Sequence, residues 1–185
     1  MTDHKARTHA LLSASGAHRW MHCTPSALLE AQFPDTASEA ASEGTLAHEI
    51  AEVKLRHYVD TINFGKRKLN AALSKLRKKP LYQPEMETYT DDYIDFIRHA
   101  GCAYEFMPFV QIEQKLDLTE YVPEGFGTAD CLMIGGNVLH IIDFKYGKGV
   151  PVSAENNEQL QLYALGAVKA YEMLYKIDAV TMRQS

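Results

Sequence analysis

The sequence lacks what would build a disulfide scaffold, a membrane span or a phosphate-cradling loop. Its three cysteines, Cys23, Cys102 and Cys131, are far apart and include no C-x-x-C, so neither a disulfide framework nor a complete cysteine-based zinc site can be read from them. No apolar run approaches the roughly 18 to 20 residues that cross a bilayer. Met1-Thr2-Asp3-His4-Lys5 has no signal-peptide stretch either, so the expected setting is a reducing cytoplasm with no membrane contact. The G-x-x-x-x-G-K-[ST] spacing of a P-loop is absent, and Tyr146-Gly147-Lys148-Gly149 does not supply it. There is no internal repeat and no low-complexity tract. Gly (11) and Pro (7) are sparse among 185 residues, 46% are apolar and 23% charged, so the chain is neither disordered nor collagen-like. One domain spanning residues 1–185 is expected.

The net charge of −5 excludes a uniformly basic nucleic-acid coat, but the charge is polarised. Lys66, Arg67, Lys68, Lys75, Arg77, Lys78 and Lys79 stand together between Gly65 and Pro80 with no acid among them. Everything else then carries 12 basic against 24 acidic residues. Small and polar residues around Ser13, Trp20 and Cys23 suit a short helical lead-in. From Thr45 the spacing of Leu46, Ile50 and Val53 predicts a helix, with His48 at the rim of its apolar arc. A helical insertion at about 57–105, interrupted by Pro80 and Pro84, carries the basic cluster.

After Pro108 the period becomes two. Val110, Ile112 and Leu116 alternate with Gln111, Glu113, Lys115 and Asp117, which predicts a half-buried strand. Two further strand-like runs, Gly127 to Gly135 and Val138 to Lys145, flank Gly136-Asn137, a pair that favours a two-residue hairpin turn. A long helix through Leu160, Tyr163 and Leu174 follows, then a short strand from Ile177 to Met182. The expected class is α/β of the α+β type, a mixed sheet flanked by helices in the order helix-β-β-β-helix-β.

Side chains two apart on a strand share a face, so Asp143 and Lys145 form a D-x-K pair. The hairpin turn fixes the rest, because it pairs residues whose numbers sum to 273 and sets Asp130 opposite Asp143. Two carboxylates near 5 Å apart repel by roughly 3 kcal/mol at an effective dielectric of 20, so a positive charge is expected between them. Lys145 can supply it, and so can a hard divalent cation such as Mg²⁺ or Mn²⁺. Such a cation implies phosphodiester hydrolysis. The plain alternative keeps both aspartates as strand-end turn formers and Lys145 as a solvated charge. Gln159 and Tyr163, one helical turn apart, lie on one face and can orient Lys145 or a phosphate; a surface Gln and a core Tyr would look the same. His48 can offer an imidazole, or be an ordinary core residue.

Taken in order, Gly44-x-x-x-His48, Gly127-Thr128-x-Asp130, Asp143-Phe144-Lys145 and Gln159-x-x-x-Tyr163 resemble the PD-(D/E)XK nuclease superfamily, in its RecB-like branch and a phage-associated uncharacterised family within it. The resemblance covers roughly Ser13 to Met182. It implies a restriction-endonuclease-like core and a metal held by His48, Asp130, Asp143 and the backbone carbonyl of Phe144. It implies Lys145 as the catalytic lysine, with Gln159 and Tyr163 completing a helix motif near the DNA phosphate. Glu113 matches an additional acid of some relatives. The proline that names the superfamily is missing, since Thr128-Ala129 precedes Asp130. Some relatives carry a four-cysteine iron–sulfur cluster, for which Cys23 alone matches. The ending Met182-Arg183-Gln184-Ser185 suggests a shortened chain, or a cluster that is not used; Cys102 and Cys131 read as packed thiols.

The function expected from this resemblance is a Mg²⁺- or Mn²⁺-dependent deoxyribonuclease, exonuclease-like, in phage or bacterial DNA recombination, with a recombinase or helicase as partner. Lys66, Arg67, Lys68, Arg77, Lys78 and Lys148 would then contact the nucleic-acid backbone, although a basic run is by default a solvated face. Trp20 and Tyr146 can stack on bases, with core packing the better reading of Trp20. The alternative from a different class is a catalytically silent DNA-binding or scaffold protein that keeps the fold. A third is a cation that serves structure alone.

Overall fold

A computed structural model of the protein describes residues 10–33, 38–147 and 153–185. Its sheet is built from the hairpin outward. Gly136 adopts the left-handed conformation (φ 55°) that a tight two-residue turn requires, and Gly135 pairs with Val138 across it. The turn joins β2 (Phe126–Gly135) to β3 (Val138–Asp143), and β1 (Phe109–Asp117) adds antiparallel to β2. β4 (Ala179–Gln184) lies parallel to β3, which requires a crossover, and α6 (Glu158–Tyr171) provides it. The spatial order is β1-β2-β3-β4. Preceding the sheet are a 3-10 turn (Ala14–Gly16), α1 (Ala17–His22), α2 (Ser26–Glu30), α3 (Glu39–Val59), α4 (Lys66–Leu76) and α5 (Glu85–Gly101). This four-stranded mixed sheet flanked by helices has the expected class and order, consistent with a restriction-endonuclease-like core.

Each face of the sheet supports its own core. On one, Leu132, Ile134, Leu139 and Ile141 pack with Leu160 and Ala167 of α6. On the other, Cys131, Met133, Ile142 and Phe144 pack with α3, α4 and α5 through residues such as Ile50, Leu55, Tyr93 and Ile97. Trp20 packs against the first core and donates its indole N–H to the Ser13 carbonyl at 2.9 Å, as core packing predicts. α3 begins at Glu39, earlier than the apolar spacing from Thr45 suggests, because the Ser38 hydroxyl caps it by accepting from the Ala41 N–H. Lys54 on α3 is largely buried, and its ammonium is met on α5 by Glu87 at 2.9 Å, Asp91 at 2.6 Å and the Thr90 hydroxyl at 2.8 Å. Such a charge is tolerated in the interior only with this degree of compensation.

The sequence expectation of uninterrupted alternation along the first strand fails at one residue. Val110 and Ile112 face the α3/α5 core, whereas Leu116 faces the α6 core. The switch falls at Glu113, whose backbone is left-handed (φ 49°), and its partner strand switches at the same level: Cys131 faces α3 and α5, and Ala129 faces α6. Pairing is retained on both sides, Ile112 with Cys131 and Gln114 with Ala129. Glu113 and Asp130 thus sit opposite each other at a kink in the sheet.

Of the two cysteines expected to be packed, only Cys131 is. Burial pushes its thiol far above the usual range. Cys102 is exposed, because it caps the C-terminus of α5, where the helix has already left the core. Among the described residues no helix is long and apolar enough to cross a membrane.

His140 on β3 contacts the next strand and the segment after α5, with Nδ1 against the Thr181 hydroxyl at 2.6 Å and Nε2 against the Tyr104 hydroxyl at 2.5 Å. Desolvation, then the nearby Arg183 charge, holds its pKa below the ordinary 6.5. The unfolded chain therefore takes up this proton first as pH falls. The contribution of a neutral His140 is intact above pH 6.5 and is lost as pH drops below it, toward the folded value. Melting temperatures of wild type and His140→Gln should accordingly converge between pH 7.5 and 5.5; a constant difference would contradict this.

Candidate metal and phosphodiester site

The hairpin delivers its acids to the sheet end as its register dictates. The ladder runs to Cys131 and Ile142, so Asp130 and Asp143 come next on neighbouring strands. Their surroundings then diverge. Asp143 is almost fully buried and forms an ion pair with Lys145 at 2.9 Å. Gln184, its neighbour on β4, reaches the same carboxylate oxygen with its side-chain amide at 3.4 Å. Asp130 turns toward α3: one oxygen accepts the Phe144 backbone N–H at 2.7 Å, and the other lies 3.4 Å from His48 Nδ1.

His48, Glu113 and Asp130 bring one ligand atom each to within 4.8 Å of one another. The sheet kink makes this possible by setting Glu113 beside Asp130. Asp143 is outside that group, its carboxylate being engaged by Lys145. The Phe144 ring is buried below, edge-on to His48 at 5.2 Å between centroids and tilted against Tyr93 at 5.0 Å, and it fixes the floor.

The electrostatics are those of crowded negative charge. Partial desolvation, then Asp130 and Glu52, pushes the Glu113 carboxyl up to about 7. Burial, then Asp130, raises Asp143 against the opposing pull of Lys145. Burial by itself would lower His48, but its bond to Asp130 and the charges of Asp130, Asp143 and Glu113 outweigh that and raise it. Three acids thus compete for too little positive charge, a condition that cation binding relieves. The donor set, carboxylates with one imidazole, fits a divalent ion of the Mg²⁺ or Mn²⁺ kind, the imidazole favouring Mn²⁺.

Lys145 continues into α6. Its ammonium donates to Gln159 Oε1 at 3.4 Å, and Gln159 Nε2 donates to the Tyr163 hydroxyl at 3.0 Å. α6 is capped by Asn157, whose side chain accepts from Leu160 N–H. Burial raises the Tyr163 phenol, which therefore stays protonated. His48, Asp130, Asp143, Lys145, Gln159 and Tyr163 are thereby brought to one end of the sheet, with Glu113 among them.

Gln184 was not foreseen, since nothing in a short terminal strand marks a residue that will pair beside Asp143. Of the basic candidates, Lys66, Arg67, Lys68, Arg77 and Lys78 are all exposed on or just after α4, which packs on α3. Arg77 pairs with Glu87 at 2.9 Å, Lys79 pairs with Glu49, and Lys68 donates to the Asn63 carbonyl. Among the described residues Lys66, Arg67, Lys75 and Lys78 make no ion pair. Lys148 lies outside the described residues. Tyr146 stands edge-on to Tyr89 and donates to Glu85, at the wall of a cleft of about 670 Å³ that Lys145 also lines.

The profile of a family described as a protein of unknown function (DUF2800) matches residues 9–184, so the chain belongs to that family. No solved structure matches it.

Proposed function

We propose that this member of the DUF2800 family is a divalent-metal-dependent deoxyribonuclease acting on DNA ends or single strands. The observation that carries the reading is the junction at the sheet end. There the Lys145 ammonium bridges Asp143 and Gln159, next to a His48, Glu113 and Asp130 donor set. The order of motifs shared with PD-(D/E)XK nucleases supports it further.

His48, Glu113 and Asp130 would hold the ion, with Asp143 beside them. The chemistry a Mg²⁺ or Mn²⁺ ion brings to such ligands is charge stabilisation at a phosphoryl oxygen and a lowered pKa for water. The chain's own residues do the rest. Asp143 holds the Lys145 ammonium at 2.9 Å, and Gln159 fixes it from the other side so that it is pre-set for a developing anion. Tyr163, neutral, accepts from Gln159 Nε2 and so holds Gln159 in register. The Phe144 N–H anchors Asp130 so that its other oxygen stays with His48. The unpaired lysines and arginine of α4 supply a salt-sensitive hold on the DNA backbone. The cleft walled by Tyr146 and Tyr89 offers aromatic surface to unstacked bases. The setting that accompanies this reading is the bacterial cytoplasm, in phage or host recombination, alongside a helicase or recombinase.

The test is cleavage of linear and circular DNA, each single- and double-stranded, with Mg²⁺ or Mn²⁺ and with chelator. Linear substrates should be degraded with the metal and spared without it, and closed double-stranded circles should resist. Salt-dependent DNA binding with no cleavage of any substrate would instead favour a silent binding protein.

A further inference from the structure

The described residues hold a second cluster of metal-ligating side chains, which shares no residue with the donor set at the sheet end. His18 and His22, one turn apart on α1, project from the same helix face, and their rings lie 4.8 Å apart between centroids. Both converge on a single oxygen of Glu158, the first residue of α6. His18 Nδ1 is 3.4 Å and His22 Nε2 is 3.1 Å from Glu158 Oε1, and all three ligand atoms lie within 4.8 Å of one another.

We infer that His18, His22 and Glu158 form a site for a borderline transition-metal ion, with Zn²⁺ as the type. The donor chemistry selects the class. Two imidazoles and one carboxylate suit zinc, cobalt or nickel, whereas Mg²⁺ prefers oxygen. The spacing agrees, because ligand atoms bonded at about 2.0–2.2 Å in a tetrahedron are roughly 3.3–3.6 Å apart. The contacts to Glu158, 3.4 and 3.1 Å, are near that edge length. Side-chain exposures of 78% for His18 and 66% for His22 allow the imidazoles to close on the ion and leave a fourth position for water.

The consequence is mechanical. His22 and Glu158 are 136 residues apart in sequence, so the metal would staple the N-terminal lead-in to the first turn of α6. Gln159, the next residue, is the one that steadies Lys145. Cross-linking such distant positions lowers the entropy of the unfolded chain and so favours the folded one.

Titration of the metal-free full chain with Co²⁺, followed by its visible d–d absorption, tests the assignment, with Zn²⁺ competition and thermal melting as second readouts. One equivalent should develop tetrahedral-type bands that Zn²⁺ abolishes. His22→Ala and Glu158→Gln should each weaken binding at least tenfold and remove the Zn²⁺-dependent rise in melting temperature. His48→Ala should leave both intact, which separates this site from the one at the sheet end. Unchanged affinity in His22→Ala and Glu158→Gln, or loss of the signal in His48→Ala, would overturn the inference. So would the absence of a stoichiometric site. Because the two histidines are exposed and Glu158 is only half-buried, at the first turn of α6, circular dichroism of the variants is expected to match wild type.

Discussion

Replacing Lys145 with alanine is expected to lower metal-dependent DNA cleavage by about 10²–10³-fold, the range found when one pre-set donor to a developing anion is removed. Two losses combine. The ammonium itself disappears, and Asp143 is left almost fully buried with its counter-ion gone and Asp130 nearby. Asp130→Asn separates chemistry from architecture. The amide oxygen can still accept the Phe144 N–H, so the strand end survives, and removing one of three crowded acids should hold or raise the melting temperature. Cleavage should nonetheless fall as far as in Lys145→Ala. Turnover assays at saturating substrate, paired with thermal melts, check both halves. Activity that survives either substitution would remove this site from the reaction.

Gly127→Ala is expected to cost about 1–3 kcal/mol of stability, as overpacking of a tight core does. A Cβ at this position would lie 2.6 Å from Tyr163 Cε1 and 3.1 Å from Ala14 Cβ, so the phenol ring must move. The ring cannot move without its hydroxyl, and the hydroxyl holds Gln159. Urea unfolding should therefore report a loss, and cleavage should fall with it although residue 127 bears no functional group. Tyr163→Leu in the same chain should restore part of the stability but none of the activity, a coupling that a double-mutant cycle reads directly. Additive effects would mean that the glycine serves some other purpose.

Much of this site could be read from sequence because it depends on a hairpin. Gly136-Asn137 fixes the register, the register sets Asp130 and Asp143 on neighbouring strands, and i,i+4 spacing brings Gln159 to Tyr163. These are local rules, operating over a few residues. What the sequence hid is non-local. That Gln184 would also engage Asp143, and that Asp143 would stand outside the group formed by His48, Glu113 and Asp130, depends on which strand becomes the neighbour of β3 and on a kink in β1. The alternating pattern of Val110, Ile112 and Leu116 suggested one face, yet a single left-handed residue divides it between two cores. The convergence of His18 and His22 on Glu158 has no signal short of the folded chain. The exposure of Cys102 follows from where α5 ends, which apolar spacing alone does not fix.

The kink at Glu113 also governs how β1 can dock. A uniform strand may slide two positions along its partner and still present oily residues inward. One that changes sides midway has no such freedom, since its turnover point must meet that of β2 at Asp130. Slippage would bury Gln114 or expose Leu116, so the acid that joins the candidate metal ligands also marks the one alignment in which β1 can assemble.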